Sequence, residues 1–385
     1  MKKVLIFSLA YYPHVGGAEV AIKEITDRIT DIEFHMVTLR FSNREAKEEK
    51  IGNIFVHRIG FGTSLVSKFL FQFMAARTAS TLHKQFNFSA TWAMMAHATG
   101  VPAALFKMRH SNVPYILNLQ EGDSLAHIER TMRPLWPLFV RAFTKADIVQ
   151  PLSTYLAQWA RVRGFAGPIE IIPNGVDVQH FSGTPAAHEG VVLITTSRLV
   201  HKNAVDDCIR ALALLPAMIR FQILGVGVEE KKLKELAEKL GVSGRVVFVG
   251  HVDHKQMPAY LHAADIFIRP SRSEGFGASF VEAMAAELPV VATQEGGIAD
   301  FLFDVKRNPE KVTTGWAVDA NSPEQIAEAV KDILGNPENT KRVIENAKTM
   351  VAEKYSWDLI AKDMREKVFG KMFDKVYINS IVSAR

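Results

Sequence analysis

Short apolar runs alternate with amphipathic stretches along the first half of the chain. The run "KVLIFSL" (3–9) predicts a buried strand, and "AEVAIKEITDRI" (18–29) predicts a helix with apolar residues at helical spacing. Further apolar runs predict strands at 33–39, 53–59, 114–119 and 147–152. Strands that alternate with helices in this way are typical of a parallel sheet with helices on both faces.

The second half repeats this alternation, with strands predicted at 191–197, 219–225, 245–250, 265–270 and 289–293. The periodicity lapses in the proline- and glycine-containing segment 171–190, which predicts a domain boundary. We therefore expect two α/β, Rossmann-like doubly wound domains, 1–172 and 173–356, that face each other across a cleft. A last helix over about 357–385 packs either on the second domain or back on the first.

The composition excludes several classes of protein. With 385 residues, 48% hydrophobic and 23% charged, the chain suits a soluble protein of two domains. A net charge of +5 favours anionic ligands such as nucleotides, or an anionic membrane surface, and the lack of a lysine- or arginine-rich run argues against nucleic acid. One cysteine, Cys208, excludes an intrachain disulfide and predicts a reducing, cytoplasmic setting. The apolar N-terminus predicts a strand rather than a signal peptide, and no apolar run reaches the ~20 residues of a membrane span.

The stretch "SEGFGASFVEAMAAE" (273–287) follows a predicted strand and opens a helix. Gly275 and Gly277 allow an anionic ligand close to unsatisfied backbone N–H groups at the helix start. Glu274 and Glu282 are eight positions apart, about two helical turns, so we expect both carboxylates on one face, binding hydroxyls of one elongated ligand. The alternative is that Glu274 caps the helix and Glu282 is an ordinary surface residue.

Two weaker signals lie after the first strand of each domain. Gly16 and Gly17 separate a strand from a helix, where phosphate binds backbone N–H groups, although ordinary turns also use glycine. Arg198 and Lys202 follow the first strand of the second domain, where their charges suit a diphosphate or are simply solvated. Each signal is weak when taken alone.

Together these features resemble glycosyltransferase family 4, the retaining nucleotide-sugar glycosyltransferases with the GT-B fold. The resemblance covers nearly the whole chain and is strongest from 170 to 335. It rests on these segments: "GGAE" (16–19), "IIPNGVD" (171–177), "SRLVHKNAVDDCI" (197–209), "ILGVG" (223–227), "VVFVGHV" (246–252), "ADIFIRPSRSEGFGASFVEAMAAELPVVAT" (264–293), "GGIADFL" (296–302) and "TGWAVDANSPEQIAEAV" (314–330).

The resemblance implies a role for each matching residue. Glu282 would bind the ribose of the nucleotide, and Arg198 and Lys202 would stabilise the departing diphosphate. The donor sugar would be bound by Glu274 together with the backbone of Gly275, Phe276 and Gly277. From the first domain, Gly16 and Gly17 would contact the phosphates. The implied reaction moves a hexose-type sugar from a UDP- or GDP-linked donor to a hydroxyl of a glycan, lipid-linked or small-molecule acceptor. The anomeric configuration is retained, and no separate cofactor is required.

One position departs from the family pattern. A histidine of a T-x-H-G motif commonly follows the strand that here precedes Gln120, and glutamine does not titrate. Gln120 is therefore a candidate contact to the donor sugar in place of a histidine, unless His127 supplies one. Glu121 and Asp123 become candidates for binding acceptor hydroxyls or acting as a base, or they are loop carboxylates at a helix cap.

A metal site is not expected, because the chain has no Asp-x-Asp and no H-x-x-x-H pair. The segments 60–79 and 127–146 of the first domain mix bulky apolar residues with basic ones: Phe69, Phe71, Phe73, Leu135 and Trp136 with Lys68, Arg77, Arg133 and Arg141. They predict either peripheral contact with the inner face of a membrane or ordinary helix core faces. Two other functions stay open: a non-hydrolysing nucleotide-sugar epimerase, and a non-catalytic sugar-nucleotide-binding protein.

Overall fold

Seven strands form the sheet of the first unit in the computed structural model, which describes residues 1–374. This unit comprises 1–174 and the described residues from 357 onward. The strands are β1 (Lys2–Phe7), β2 (Ile32–Leu39), β3 (Glu48–Ile51), β4 (Ile54–Ile59), β5 (Ala90–Met94), β6 (Tyr115–Leu119) and β7 (Ile148–Pro151). Their order is β3-β4-β2-β1-β5-β6-β7, and only β3 pairs antiparallel, in a hairpin with β4.

Helices cover this sheet: α1 (Gly17–Arg28), α2 (Leu65–Phe86), α3 (Val101–Arg109), α4 (Leu125–Thr131), α5 (Trp136–Thr144) and α6 (Thr154–Val162). The four residues from Val4 to Phe7 are all fully buried, as expected for a parallel strand with helices on both faces. Five of the predicted strands are present as β1, β2, β4, β6 and β7, whereas β3 and β5 were not predicted.

The second unit, Gly175–Ser356, contains a six-stranded parallel sheet of order β10-β9-β8-β11-β12-β13. Its elements in chain order are α7 (Val178–Phe181), β8 (Val191–Thr196), α8 (Val205–Ala213), β9 (Ile219–Leu224), α9 (Glu230–Lys239), β10 (Val246–Gly250), α10 (Met257–His262), β11 (Ile266–Arg269), α11 (Ala278–Ala285), β12 (Val290–Ala292), β13 (Trp316–Ala317), α12 (Pro323–Gly335) and α13 (Pro337–Lys354). Cys208 is buried in α8. The predicted fold class, two doubly wound α/β sheets, is confirmed.

The chain then returns to the first unit through α14 (Trp357–Asp363) and a π-helical segment, Met364–Gly370. Met364, Val368 and Phe369 are fully buried in the core of the first unit. The Phe369 ring contacts Phe34 of β2 and Trp92 of β5, with centroid distances of 5.8 and 5.5 Å. The last part of the predicted C-terminal helix, 375–385, lies outside the described residues.

Candidate active site

The strand order of the second sheet indicates where a ligand is expected. β8, β9 and β10 proceed to one side, and β11 then pairs with the opposite side of β8. In doubly wound sheets, ligands bind outside the carboxyl ends of the strands where the order reverses. The segments that follow β8 and β11 flank this point, so the sheet brings Arg198 and Lys202 to the same edge as Glu274 and the glycines after it.

Glu274 lies in the loop before α11, not on the helix. Gly277 has φ +95°, a left-handed conformation, and α11 begins only at Ala278. The expectation that Glu274 and Glu282 share a helix face because of their eight-residue spacing was therefore wrong. Glycine is required at 277 both by its φ and because a Cβ there would lie 2.5 Å from the Phe280 ring.

Glu274 is nearly buried and forms an ion pair that the sequence reasoning missed. Its Oε2 accepts a hydrogen bond of 2.8 Å from Nη2 of Arg269, the last residue of β11. Burial lowers the pKa of Arg269, while the charges of Glu274 and Glu282 oppose that shift. The signal in the sequence was an arginine ending an otherwise apolar strand, five residues before a glutamate.

Arg269 also fixes the elements on either side of the reversal. Its Nη1 donates to the Thr196 carbonyl at the end of β8 (3.0 Å) and to Ser279 Oγ in the first turn of α11 (2.6 Å). The guanidinium carbon lies 4.1 Å from the centre of the Phe280 ring, a cation–π contact. One buried side chain therefore ties β8, the Glu274 loop and the start of α11 together.

Two glycines bring one further loop against this site. Gly296 has φ +62°, and a Cβ on it would lie 2.0 Å from the Glu274 carbonyl oxygen; a Cβ on Gly297 would lie 2.2 Å from that of Gly275. Gly297 N–H donates to the Glu274 carbonyl at 3.0 Å. The loop after β12 thus packs backbone to backbone on 274–275, which only residues without a side chain permit.

The loop after β8 is anchored through its backbone. Arg198 is exposed and Lys202 is half-buried. Asn203 Nδ2 donates to the Arg198 carbonyl at 2.7 Å, and Arg272 N–H donates to the Lys202 carbonyl at 2.7 Å. The Arg272 guanidinium in turn pairs with Asp206 and Asp207. A fixed loop at the carboxyl edge of the second sheet therefore carries both cations.

Glu282 and Phe276 have specific partners within the second unit. Glu282 Oε1 lies 2.9 Å from Nε2 of His254, which belongs to the turn after β10. The Phe276 ring is buried against Phe301 and Tyr355. The Phe276 side chain is therefore part of the core, and the ligand contact implied for its backbone stays a prediction.

In the first sheet, the order reverses between β1 and β5, so that a ligand is expected at their carboxyl ends. Gly16 and Gly17 lie in the segment after β1 and are exposed. The N–H of Gly16 donates to Glu19 Oε2 at 2.7 Å, and burial raises the pKa of Glu19. Glu19 thus already accepts from one of the two backbone N–H groups expected to bind phosphate.

Gln120 belongs to a chain of side-chain amides at the carboxyl ends of β6 and β7. Its Nε2 donates to Asn118 Oδ1 (2.8 Å), and its Oε1 accepts from Asn174 Nδ2 (3.3 Å). Asn118 Nδ2 donates to Gln150 Oε1 (2.6 Å), and Gln150 Nε2 donates to the Ile172 carbonyl (2.6 Å). Both the oxygen and the nitrogen of the Gln120 amide are thus hydrogen-bonded within the first unit, and these bonds fix the orientation of the side chain.

The other residues proposed around Gln120 differ in their surroundings. Glu121 is buried, and Asp123 is exposed. His127 is exposed on α4, where its backbone N–H completes a capping interaction with Ser124. Glu121 is therefore a buried carboxylate and Asp123 an exposed one, and both alternatives given for them, acceptor-binding groups or loop carboxylates at a helix cap, stay predictions.

Among residues 1–374, no three histidine, cysteine, aspartate or glutamate side chains are grouped as a metal site would require. No helix in this described part of the chain combines the length and apolar character needed to cross a membrane.

Comparison with known families accounts for both units. The first half matches the family described as "Glycosyltransferase Family 4" over residues 15–180, and the second half matches "Glycosyl transferases group 1" over residues 179–350. The chain belongs to glycosyltransferase family 4. The two matches meet within the segment 171–190, which the sequence predicted as a domain boundary. Both families are glycosyltransferases, so the chain is a transferase enzyme.

Among its relatives, this family 4 glycosyltransferase is 26% identical to an uncharacterised glycosyltransferase of Methanocaldococcus jannaschii, over 97% of this chain and 99% of that protein. It is 29% identical to a "GDP-mannose-dependent alpha-(1-6)-phosphatidylinositol monomannoside mannosyltransferase" of Mycobacterium tuberculosis. That match covers 58% of this chain and 62% of the mycobacterial protein, less than two thirds of its length.

Solved structures show the fold of the family 4 glycosyltransferase. Sucrose-phosphate synthase from Thermosynechococcus elongatus matches 97% of this chain and 100% of its own, with a TM-score of 0.82 and 18% identity. Anabaena HepE in complex with UDP-glucose matches 96% of this chain and 100% of its own, with a TM-score of 0.78 and 19% identity. The predicted GT-B fold, with two Rossmann-like units, is thereby confirmed.

Proposed function

We propose that this glycosyltransferase transfers a hexose-type sugar from a UDP- or GDP-linked donor to a hydroxyl, with retention of configuration and without a metal ion. The observation that carries the proposal is the Arg269–Glu274 ion pair. It fixes the backbone of Gly275, Phe276 and Gly277 at the strand reversal of the second sheet, on the edge that holds Arg198 and Lys202.

The charges at this edge support a leaving-group role. When the bond between the anomeric carbon and the diphosphate breaks, negative charge develops on the phosphate, and fixed cations stabilise it. Arg198 and Lys202 supply two such charges from one loop, and Glu282 would accept hydrogen bonds from the ribose. Glu274 is engaged by Arg269 rather than free as a nucleophile, which favours attack from the leaving-group side over a covalent sugar–enzyme intermediate.

UDP and GDP are proposed as donor nucleotides because of the similar proteins, not because of a feature of the site. The mycobacterial relative is named as GDP-mannose-dependent, and HepE is solved with UDP-glucose. A thermal-shift panel of UDP, GDP, ADP and their sugars identifies the donor, because a ligand that binds only the folded state raises its stability. Product analysis by NMR then gives the anomeric configuration.

Two variants separate the roles proposed in the second unit. Arg198→Ala should mainly lower kcat, because its charge acts on the leaving group, and Glu282→Ala should mainly weaken nucleotide binding. Wild-type activity of both variants on a proven donor–acceptor pair would contradict the assignment. Isomerised sugar nucleotide formed from donor alone would identify an epimerase, and nucleotide binding without turnover on any acceptor would identify a binding protein.

A stripe on α2 supports peripheral contact with an anionic membrane. Its members recur at helical spacing and are all exposed: Val66, Phe69, Leu70, Phe73 and Met74. Exposed Arg77 extends this α2 stripe, and half-buried Lys68 lies beside it. Phe71 belongs to the core, in line with the alternative prediction of ordinary helix core faces, and so do Phe139 and Phe143 of the segment 127–146.

We therefore place the protein at the inner face of the membrane, with the α2 stripe inserted at the lipid surface and a glycan or lipid-linked acceptor bound by the first unit. A mycobacterial relative named for a phosphatidylinositol mannoside acceptor supports this assignment. Co-sedimentation with phosphatidylglycerol vesicles at low salt tests it: Phe69→Ser/Phe73→Ser should abolish binding, and Val228→Ser, a matched change at an exposed valine of the second unit, should not. Equal sedimentation of both variants would reject the α2 stripe as the contact.

A further inference from the structure

The segment after β5 is unusual in its backbone. Met95 has φ +65° and ψ +126°, a conformation that residues other than glycine rarely adopt, and Ala96–Gly100 forms a π-helical turn. Both features occur preferentially at functional sites. This segment lies at the carboxyl end of β5, one of the two strands between which the order of the first sheet reverses.

Hydrogen bonds hold the turn to the strands on either side. Thr99 Oγ1 lies 3.0 Å from the Phe7 carbonyl of β1 and 2.8 Å from the Met94 carbonyl of β5. Ala96 N–H donates to Oε1 of Glu121, which follows β6, at 2.6 Å. The turn is therefore fixed at the place where the fold predicts a ligand.

Glu121 also contacts the histidine of this turn. The same Oε1 lies 3.4 Å from His97 Nδ1, and the Glu121 side chain is 0% exposed whereas that of His97 is 34% exposed. Within residues 1–374, Glu121 Oε2 is buried without a hydrogen-bond partner. A half-satisfied buried carboxylate lowers stability, so folding alone does not explain it.

The contact favours one tautomer of the His97 ring. A carboxylate oxygen accepts hydrogen bonds, so the hydrogen of a neutral His97 ring resides on Nδ1. Nε2 is then left with a lone pair on a partly exposed ring, which is the arrangement that accepts a hydrogen bond from a hydroxyl.

We propose that His97 Nε2 accepts a hydrogen bond from a hydroxyl of a polyhydroxylated acceptor, such as a hexoside or an inositol, and that Glu121 is its positioning residue. The proposal rests on the proposed function, because it assigns the acceptor to the first unit. The sequence did not predict a role for His97; the candidate from the first domain was Gln120.

The first test is the protonation of the ring. Long-range proton–nitrogen NMR of the intact, labelled protein at about pH 8, above the ordinary histidine pKa of about 6.5, distinguishes the two tautomers. The His97 signal is assigned by its loss in His97→Gln. We expect hydrogen on Nδ1, whereas hydrogen on Nε2 would overturn the proposal. In Glu121→Gln, where the charge is removed but an amide oxygen is kept, the preference for Nδ1 should weaken.

The second test uses defined soluble probes: methyl α-mannopyranoside, methyl α-glucopyranoside and myo-inositol, each titrated in the presence of the nucleotide that binds. We expect at least one probe to shift the His97 Nε2 signal and to bind roughly tenfold more weakly to His97→Ala, as loss of one hydrogen bond predicts. Nucleotide affinity should be unchanged. His188→Ala, which removes an exposed histidine of the second unit, is the control and should bind like wild type.

The remaining outcomes distinguish failure of the acceptor proposal from failure of the proposed glycosyltransferase function. Nucleotide binding combined with no probe effect at His97, or with equal probe affinity in His97→Ala, would overturn the acceptor assignment and leave the donor assignment intact. Failure of every nucleotide to bind would overturn the proposed function itself, and this inference with it.

Discussion

At the scale of residues, the buried pair of Arg269 and Glu274 gives the sharpest stability prediction. Glu274→Ala leaves the Arg269 charge buried without its partner, which typically costs about 3–5 kcal/mol. Denaturant unfolding followed in the second unit should show a loss of that order. Glu287→Ala removes an exposed partner of Lys348 and should cost about 0–1 kcal/mol.

A double variant separates stability from binding at the same pair. Arg269→Met/Glu274→Leu removes both charges, so much of the lost stability should return, while nucleotide-sugar binding should not. Equal stability of Glu274→Ala and wild type would show that the pair is not formed in solution.

His35 on β2 predicts that the first unit loses stability in mild acid. Burial lowers the pKa of His35, and the neighbouring Lys3 and His57 act in the same direction, although the hydrogen bond that the ring donates to Glu33 opposes the shift. A histidine with a lowered folded-state pKa binds protons more readily when unfolded. Its contribution is therefore present above the unfolded pKa of about 6.5 and is lost as the pH falls below it.

The measurement is the unfolding free energy against pH from about 8 to 5, a window that contains the ordinary histidine pKa. His35→Gln should have a shallower slope than wild type in this range. Part of the slope should persist, because burial also lowers the pKa of His83 and His110. An identical slope in the variant would contradict the assignment to His35.

At the residue scale, the sequence predicted only those candidate site residues whose neighbours along the chain mark them. The glycines and Glu274 stand out because they follow a strand, but the partner of Glu274 does not. Arg269 is separated from Glu274 by a loop whose path depends on Gly277 and on the packing of Gly296 and Gly297 against it. Helical spacing cannot describe that path, and this is why the shared-face argument for Glu274 and Glu282 failed.

At the scale of elements, the loop after β12 positions the loop after β11. Gly296→Ala adds a Cβ that would lie 2.0 Å from the Glu274 carbonyl, at a φ of +62° that disfavours side chains. We expect displaced loops and a fall in nucleotide affinity of roughly tenfold or more, measured by calorimetry, since small misplacements of binding groups are costly. Gly244→Ala, which has no atom within 4 Å of its new Cβ, is the matched control. Unchanged affinity in Gly296→Ala would show that this contact does not hold the site.

The missed strand β5 explains why the sequence did not point to His97. Its residues, Ala90–Met94, are rich in alanine and methionine, which favour helix over strand, and the turn after it leads directly into α3. The remaining signal was the interval between the strands predicted at 53–59 and 114–119, which is too long for one crossover in a doubly wound sheet. Burial between β1 and β6, not local preference, makes this segment a strand.

At the scale of the whole molecule, residues 1–174 and the later residues 357–374 belong to the same unit. Phe369 is fully buried between Phe34 and Trp92, so Phe369→Ala should cost the first unit about 3–5 kcal/mol, as core phenylalanine truncations do. Hydrogen exchange should quicken in β1, β2 and β5 and stay unchanged in β8 and β11. Phe61→Ala, at an exposed phenylalanine, is the control. Equal loss of protection in both units would show that they do not unfold separately.

The central claim is that the carboxyl edge of the second sheet binds the nucleotide of a sugar donor, with Glu282 on its ribose. Calorimetric titration of UDP and GDP into the wild type, Glu282→Ala and Glu287→Ala tests it most directly. We predict that one nucleotide binds the wild type and Glu287→Ala equally, and binds Glu282→Ala roughly tenfold or more weakly, because hydrogen bonds to a charged group are lost. Binding of neither nucleotide, or equal affinity in Glu282→Ala, would contradict the claim.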